Sequence, residues 1–494
     1  MPHKAAGTGG RAVLGPVYEG LLVFDSKIEN GKQVDYRADW PVVPWLAERW
    51  EAPDESTYIF HLRRGVTWHD GKEFTAADVV FTYGLVRDPK NAFPTRSRLP
   101  DMNAVTALDS HTVKVTTLEA SPHFLVELAS PYNMVLPKHV ADRGDSFDEV
   151  AIGTGPFKVQ SFDRAKSSAY VRYDNFRLPG KPFLDGVEVF FNLDRSARNA
   201  AFITKAVDVR AAEDKVQFDT IIKAVPDAGY GTPTNANQET IILRADKPPF
   251  NDPRVRRAIN LAVDRQGVLK LAAFDVGVIN PPGMHGGQSW AIPPSELAKL
   301  PGYRQPKEAD LAEARRLLAE AGHGSGLTFS LLFDPARTSA GKIAEVVASQ
   351  LRAVQIDVVL RSLPRAEFAK AYAEGAYDTV IESAGDMLVG GLQFDYWHSK
   401  GSLHTMGFSD PQLDRFIDVL VRSRDVNQRK EAALGMQRVL LERDYIIPTI
   451  AVGVFQLWHP WVRDYIYNMG SSELFEQDNL PRVWFTKDAP TGRK

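Results

Sequence analysis

Two carboxylates, Glu382 and Asp386, stand close together in the run Glu382-Ser-Ala-Gly-Asp-Met-Leu-Val-Gly-Gly-Leu-Gln-Phe-Asp-Tyr-Trp397. A carboxylate taken out of water needs a cationic or hydrogen-bonding partner. The pair therefore reads as an acidic pocket for a cationic group, with Asp386 as its main polar anchor. Phe394, Tyr396 and Trp397 follow and offer stacking surface. The same pattern fits solvated loop acids lying over core aromatics equally well.

Other chemistries find little support. The eleven histidines are scattered. His61 and His69 flank a strand end with no third ligand near them, and no His-Glu-x-x-His spacing occurs. There is no cysteine, which excludes thiolate catalysis, disulfides and cysteine-ligated metal. Gly-x-Ser-x-Gly is absent. Gly153-Thr-Gly-Pro-Phe has two glycines, but neither a following helix nor a Gly-Lys-Ser/Thr, so it is no phosphate loop. Gly153 and Gly155 are read instead as supplying backbone angles closed to other residues. No metal and no cofactor are expected. The net charge of −3 offers no bulk field for nucleic acid or anionic membrane. No apolar run is long enough to span a bilayer, and the first residues contain no apolar signal core.

The elements that must position these residues follow from periodicity. Thr240 to Leu243 is a short β-branched run, read as a buried strand. Asp252 stands as a helix N-cap with Pro253 at the first helical position. Val255, Ala258, Ile259, Ala262 and Val263 then make one apolar face, with Arg254, Arg256, Arg257 and Arg265 largely off it. Thr75 caps a helix beginning Ala-Ala-Asp-Val-Val. Helices and strands alternate from 308 to 382, with Gly322 stopping the first helix, which predicts a βαβ-like sheet. With 494 residues the chain holds two or three domains. It has no linker or repeat, so the domains are expected to be discontinuous in sequence.

Eight short strings in order then carry a resemblance across nearly the whole chain. They are Val17-Tyr-Glu-Gly-Leu-Leu, Leu46-Ala-Glu-Arg-Trp-Glu, the stretch from Thr57 through Trp68-His-Asp-Gly, Phe74-Thr-Ala-Ala-Asp-Val-Val-Phe-Thr-Tyr, Pro137-Lys-His-Val, Gly153-Thr-Gly-Pro-Phe, Pro249-Phe-Asn-Asp-Pro-Arg-Val-Arg-Arg-Ala and Leu317-Leu-Ala-Glu-Ala-Gly. The chain resembles the extracytoplasmic solute-binding proteins, family 5, of peptide- and nickel-type ABC importers. That resemblance implies an α/β, two-lobed clamp of the periplasmic-binding-protein type (type II, large peptide-binding type), with an extra subdomain in the first lobe. The expected division is 1–38, 163–262 and 465–494 for the core of lobe one, 39–162 for the subdomain, and 263–464 for lobe two. It further implies hinge closure on a peptide-like or charged small solute, delivery to an ABC permease and ATPase, no catalysis, a monomer, and a periplasmic or extracytoplasmic place. Pro2-His3 reads as the remnant of a family string, so the chain is expected to begin late, with its export signal missing.

Carried over position by position, the glycine-rich Ala6–Gly10 loop places Thr8 and Gly9 against ligand backbone. Ser130-Pro-Tyr-Asn offers Tyr132 as a wall and Asn133 as an amide. Glu382, Asp386, Phe394 and Trp397 line the specificity loop, and Trp458 is a further candidate. Gly385-Asp386 is kept where dipeptide-type relatives read an α-ammonium, but their Trp and Asp-Pro are missing, so dipeptide specificity does not transfer. Two rivals stay open: a cytoplasmic ligand-sensing module on the same clamp, and a carbohydrate-active hydrolase, which would need paired cleft acids.

Overall fold

A computed structural model describes residues 14–24, 28–29, 32–33, 42–91, 99, 102–130, 133–147, 149–163, 165–191, 193–212, 214–232, 238–286, 288–383, 391–465 and 480–490. Thr8, Gly9, Tyr132 and Asp386 lie outside them. The chain forms two compact units. It leaves the first between Gly231 and Thr232 and returns between Val454 and Phe455.

The first unit opens on a four-stranded antiparallel sheet of β1 (Ala47–Glu51), β2 (Thr57–Leu62), β3 (Met102–Asp109) and β4 (Thr112–Thr117), in the order β1-β2-β4-β3. Helix α1 (Ala76–Arg87) starts where Thr75 N–H donates to Asp78 Oδ2 at 2.9 Å, an acid satisfying an orphan donor of the first turn. A second sheet runs β7-β6-β5 from β5 (Phe157–Asp163), β6 (Ser167–Arg172) and β7 (Gly186–Phe190). Just before β5 the two glycines behave differently from expectation. Neither has a positive φ. A Cβ on Gly153 would stand 1.7 Å from the Val17 carbonyl oxygen, and one on Gly155 2.6 Å from that of Pro16. Close backbone approach, not an unusual angle, demands glycine there. A third sheet sets β8 (Val209–Ala212) and β9 (Gly229–Gly231) on either side of Phe455–Trp458, a strand from far later in the chain.

The second unit is built on a five-stranded mixed sheet. Its strands are β10 (Glu239–Leu243), β11 (Leu327–Phe333), β12 (Ile356–Ser362), β13 (Thr379–Ser383) and β14 (Ile446–Pro448), ordered β12-β11-β13-β10-β14. β11 lies parallel to both β12 and β13, whereas β10 is antiparallel to β13 and β14. β10 is buried along its whole length because helices cover both faces. One core joins Ile241, Leu243 and Leu331 to α2 (Pro253–Ala262), α3 (Arg265–Ala273), α4 (Glu308–Glu320) and α5 (Thr338–Leu351). The other joins Ile242, Leu332 and Val380 to α6 (Arg365–Ala373), α8 (Pro411–Arg422) and α9 (Val426–Arg443). Between α6 and α8 in the chain lies a short helix, α7 (Gly391–Trp397).

Two expectations change here. The segment Thr240–Arg265 belongs wholly to the second unit, so the boundary falls about thirty residues before 262/263. The cause is pairing: β10 bonds only with β13 and β14, both of the second unit. Asp252 does cap α2, accepting from Arg254 N–H at 2.8 Å, and Pro253 opens the helix. Arg256 and Arg265, however, are buried rather than off the core. Arg256 donates to the carbonyls of Phe250 at 2.8 Å and Arg443 at 3.0 Å. Arg265 donates to those of Pro448 at 2.8 Å and Gly302 at 2.6 Å, and its guanidinium lies 4.0 Å from the Tyr303 ring centre. A guanidinium with such acceptors can be enclosed without losing hydrogen bonds.

Candidate functional site

The sheet of the second unit changes winding direction at β11. From β11 the chain crosses through α5 to β12 on one side. From β12 it crosses back through α6 to β13 on the other. The helices depart to opposite faces, which leaves a crevice beyond the carboxyl ends of β11 and β13, where α/β sheets hold their ligands. The antiparallel β10 begins at that same edge.

The residues there form one charged cluster. Asp334 follows β11 directly and accepts from Arg365, the first residue of α6, at 3.0 Å. Arg337, just before α5, donates to Glu382 Oε1 at 3.2 Å and also to Glu239 Oε2. Ser339 Oγ donates to Glu239 Oε1 at 2.8 Å. The Glu239 and Glu382 side chains are only 4% and 13% exposed. Among the described residues three carboxylates thus face two guanidiniums, which leaves one negative charge over. Burial pushes the Glu382 carboxyl above its ordinary value, against the pull of Arg337. Burial opposes the charge on Arg337 too, but Glu239 and Glu382 outweigh it and hold that guanidinium above its ordinary value. Arg337 is therefore a fixed cation already shared between two acids, and the crevice favours positive charge.

Gln238 completes this edge. It is wholly buried, and neither its side-chain oxygen nor its nitrogen has a hydrogen-bond partner. Thr240 lies directly opposite Glu382 across the β10–β13 pair, and so shares its face. The pleat carried one step back puts Gln238 on that face as well, diagonal to Glu382.

The other sequence candidates are dispersed. Asn133 is fully buried in the first unit, with Nδ2 donating to the Glu127 carbonyl at 2.6 Å. Its Nδ2 is thus occupied with the end of a short helix, while Oδ1 is buried without a hydrogen-bond partner. Trp397 is fully buried in the second core, with its indole beside Gly283, so it is no exposed wall. Phe394 is half-buried and stacks on His398 at 4.3 Å. Trp458 lies in the first unit with its indole across Gly229, whose Cβ would stand 2.3 Å from Nε1. A cavity of about 750 Å3 in the first unit, between β7 and β8, is lined by none of the sequence candidates. Of those described, Glu382 alone joins the charged cluster. Glu239, Arg337, Ser339 and Gln238 were missed. The available signal was the polar pair Gln238-Glu239 heading a fully apolar strand. Among the described residues no helix is long and apolar enough to cross a membrane, and no group of three or more acidic or histidine side chains is placed to hold a metal ion.

This fold is that of the large binding proteins that serve membrane transporters. The ABC transporter substrate-binding protein CtaP of Listeria monocytogenes superposes with a TM-score of 0.82 over 99% of this chain and 96% of its own, at 19% identity. Residues 41–413 match the family described as bacterial extracellular solute-binding proteins, family 5, and the chain belongs to that family. It is similar to the dipeptide-binding protein of Escherichia coli, 27% identical over 69% of this chain and 67% of the relative. It is also similar to the periplasmic oligopeptide-binding protein OppA of Salmonella typhimurium, 26% identical over 94% of this chain and 87% of the relative. The chain is the substrate-binding component of an ABC importer, capturing a solute for a membrane permease.

Proposed function

We propose that the solute is peptide-like and carries a cationic group, and that this group docks between Glu382 and Glu239. The observation that supports the reading most is the excess buried carboxylate at the carboxyl edge of the second unit's sheet. A cation arriving there shares both acids with Arg337 and balances the cluster. The dipeptide- and oligopeptide-binding relatives support the peptide-like half of the reading. Asp386, four residues after Glu382 in sequence, is proposed as a further anchor. The protein acts by binding alone, as a monomer outside the cytoplasm, with a permease and ATPase as partners and no nucleic acid.

Calorimetry with alanyl-phenylalanine and its N-acetylated form tests this. The free dipeptide should bind and the acetylated form should not. Glu382→Gln should weaken the free dipeptide roughly 10- to 100-fold, the worth of one hydrogen bond to a charged group. Equal affinity of wild type and Glu382→Gln would refute the site. Asp386→Ala tests the loop acid separately, and turnover of the dipeptide would refute binding without catalysis.

A further inference from the structure

We infer that the cavity between β7 and β8 is a slot for one more β-strand, and that an apolar segment encoded immediately before Met1 fills it. The filled slot joins two three-stranded sheets of the first unit into one sheet of seven.

Both walls of the slot are edge strands: β7 pairs only with β6, and β8 only with Phe455–Trp458. In an antiparallel pair alternate residues turn both backbone groups toward the partner, and the rest turn both away. Arg172 N–H donates to the Asp185 carbonyl at 2.8 Å, and Phe191 N–H to that of Lys166 at 2.7 Å, so the odd-numbered residues of β7 face β6. Gly186, Glu188 and Phe190 therefore face away. His459 N–H donates to the Asp208 carbonyl at 3.0 Å, which in the same way turns Val209 and Ala211 away from Phe455–Trp458. Among the described residues nothing hydrogen-bonds to the backbone of these five. Residues 186–190 and 208–211 all line the one cavity of about 750 Å3. Two open ladders thus share a single gap, and an open ladder is a template for a further strand.

The gap borders the apolar core that holds Tyr170, Val462 and Val483, and Val187 and Val189 pack against that core. Phe190, Leu193 and Val209 also line it and are 45%, 37% and 37% exposed. The occupant is therefore an extended run about as long as β7, with branched apolar side chains at alternate positions at least. Every described strand already has its place in a sheet, so none is left to enter. Pro16 lines the cavity, with fifteen residues before it. That length of chain spans at most about 50 Å, so a strand joined ahead of Met1 reaches the slot. Its tether also holds it there at an effective concentration of roughly millimolar, which a free peptide or a second copy does not match.

Hydrogen exchange read by NMR on two chains is the test: the present one from Met1, and the longer one translated from the upstream frame with any export signal removed. In the longer chain the amides of Glu188, Phe190, Val209 and Ala211 should exchange roughly 10- to 100-fold more slowly than in the chain from Met1. Those of Val187, Val189 and Arg210, bonded within their sheets, should be protected in both. Glu188→Pro removes only an outward N–H, and in the longer chain it should return the other three amides to their rates in the chain from Met1. Ala211→Pro repeats the measurement from the opposite edge. An upstream frame that encodes no such apolar run, or a longer chain whose amides exchange as before, overturns the inference. Protection already present in the chain from Met1 overturns it too. So does protection that grows with protein concentration as a dimer forms in sedimentation, or that alanyl-phenylalanine confers, since the slot then has another occupant.

Discussion

Arg337→Met is the sharpest perturbation of the candidate site. It removes the guanidinium that Glu239 and Glu382 share and leaves two nearly enclosed carboxylates without the cation they are hydrogen-bonded to among the described residues. Breaking a buried ion pair in this way typically costs about 3–5 kcal/mol, because the charge left behind is uncompensated. The second unit runs from Thr232 to Val454. For a body of that size each kcal/mol lowers Tm by about 2–4 °C, so the expected fall is about 6–20 °C. The deficit has a defined pH sense. Burial already raises the Glu382 carboxyl, and losing Arg337 raises it further. A carboxyl raised in the folded state costs stability above its unfolded value, near 4.3, and not below it. The loss should therefore be full above the raised folded value and vanish as pH drops through the ordinary carboxylate range. Adding Glu239→Gln and Glu382→Gln should recover most of it, since the charges that needed Arg337 are gone. Calorimetric unfolding of the single and triple variants across pH is the assay. A fall of under 2 °C, or a triple variant no better than the single, would refute the cluster as a coupled unit.

Affinity for a cationic dipeptide should weaken as pH falls through the raised Glu382 value, by up to tenfold per unit, because proton and ammonium compete for one carboxylate; titration calorimetry at several pH values reads this. Trp397→Ala should destabilise by about 3–5 kcal/mol in urea unfolding while leaving ligand affinity of the folded protein unchanged, as a core residue should and a pocket wall should not. Gly153→Ala should cost about 1–3 kcal/mol or more, since its methyl would meet the Val17 carbonyl; a neutral result in chemical denaturation would contradict the close approach.

Strand β10, the Asp252 cap and the apolar face of α2 were legible because each depends on neighbours within a few residues. Gly322 was legible for the same reason, and it does take a left-handed φ of 86° after α4. What failed to show were features set by distant partners. The start of the second unit is fixed by β10 pairing with strands that follow it by more than a hundred residues. The burial of Arg265 depends on carbonyls at Gly302 and Pro448. Of the candidate site, the acid at Glu382 was legible from loop composition. Its partner Arg337 and its twin Glu239 were not, because they meet across 98 residues of sequence and only through the winding of the sheet. The burial of Asn133 and Trp397 was not legible for a related reason: residue type suggests a pocket contact, while burial is decided by packing that no local pattern encodes.

The strand Phe455–Trp458 sits at the centre of a three-stranded sheet whose outer members, Val209–Ala212 and Gly229–Gly231, come more than two hundred residues earlier. On the ribosome those outer strands emerge with nothing between them to bond to. The second unit, uninterrupted from Thr232 to Val454, has every strand of its own sheet before Phe455 is made. Synthesis from the amino end therefore completes the later body first, and leaves the earlier one open until its keystone strand is translated.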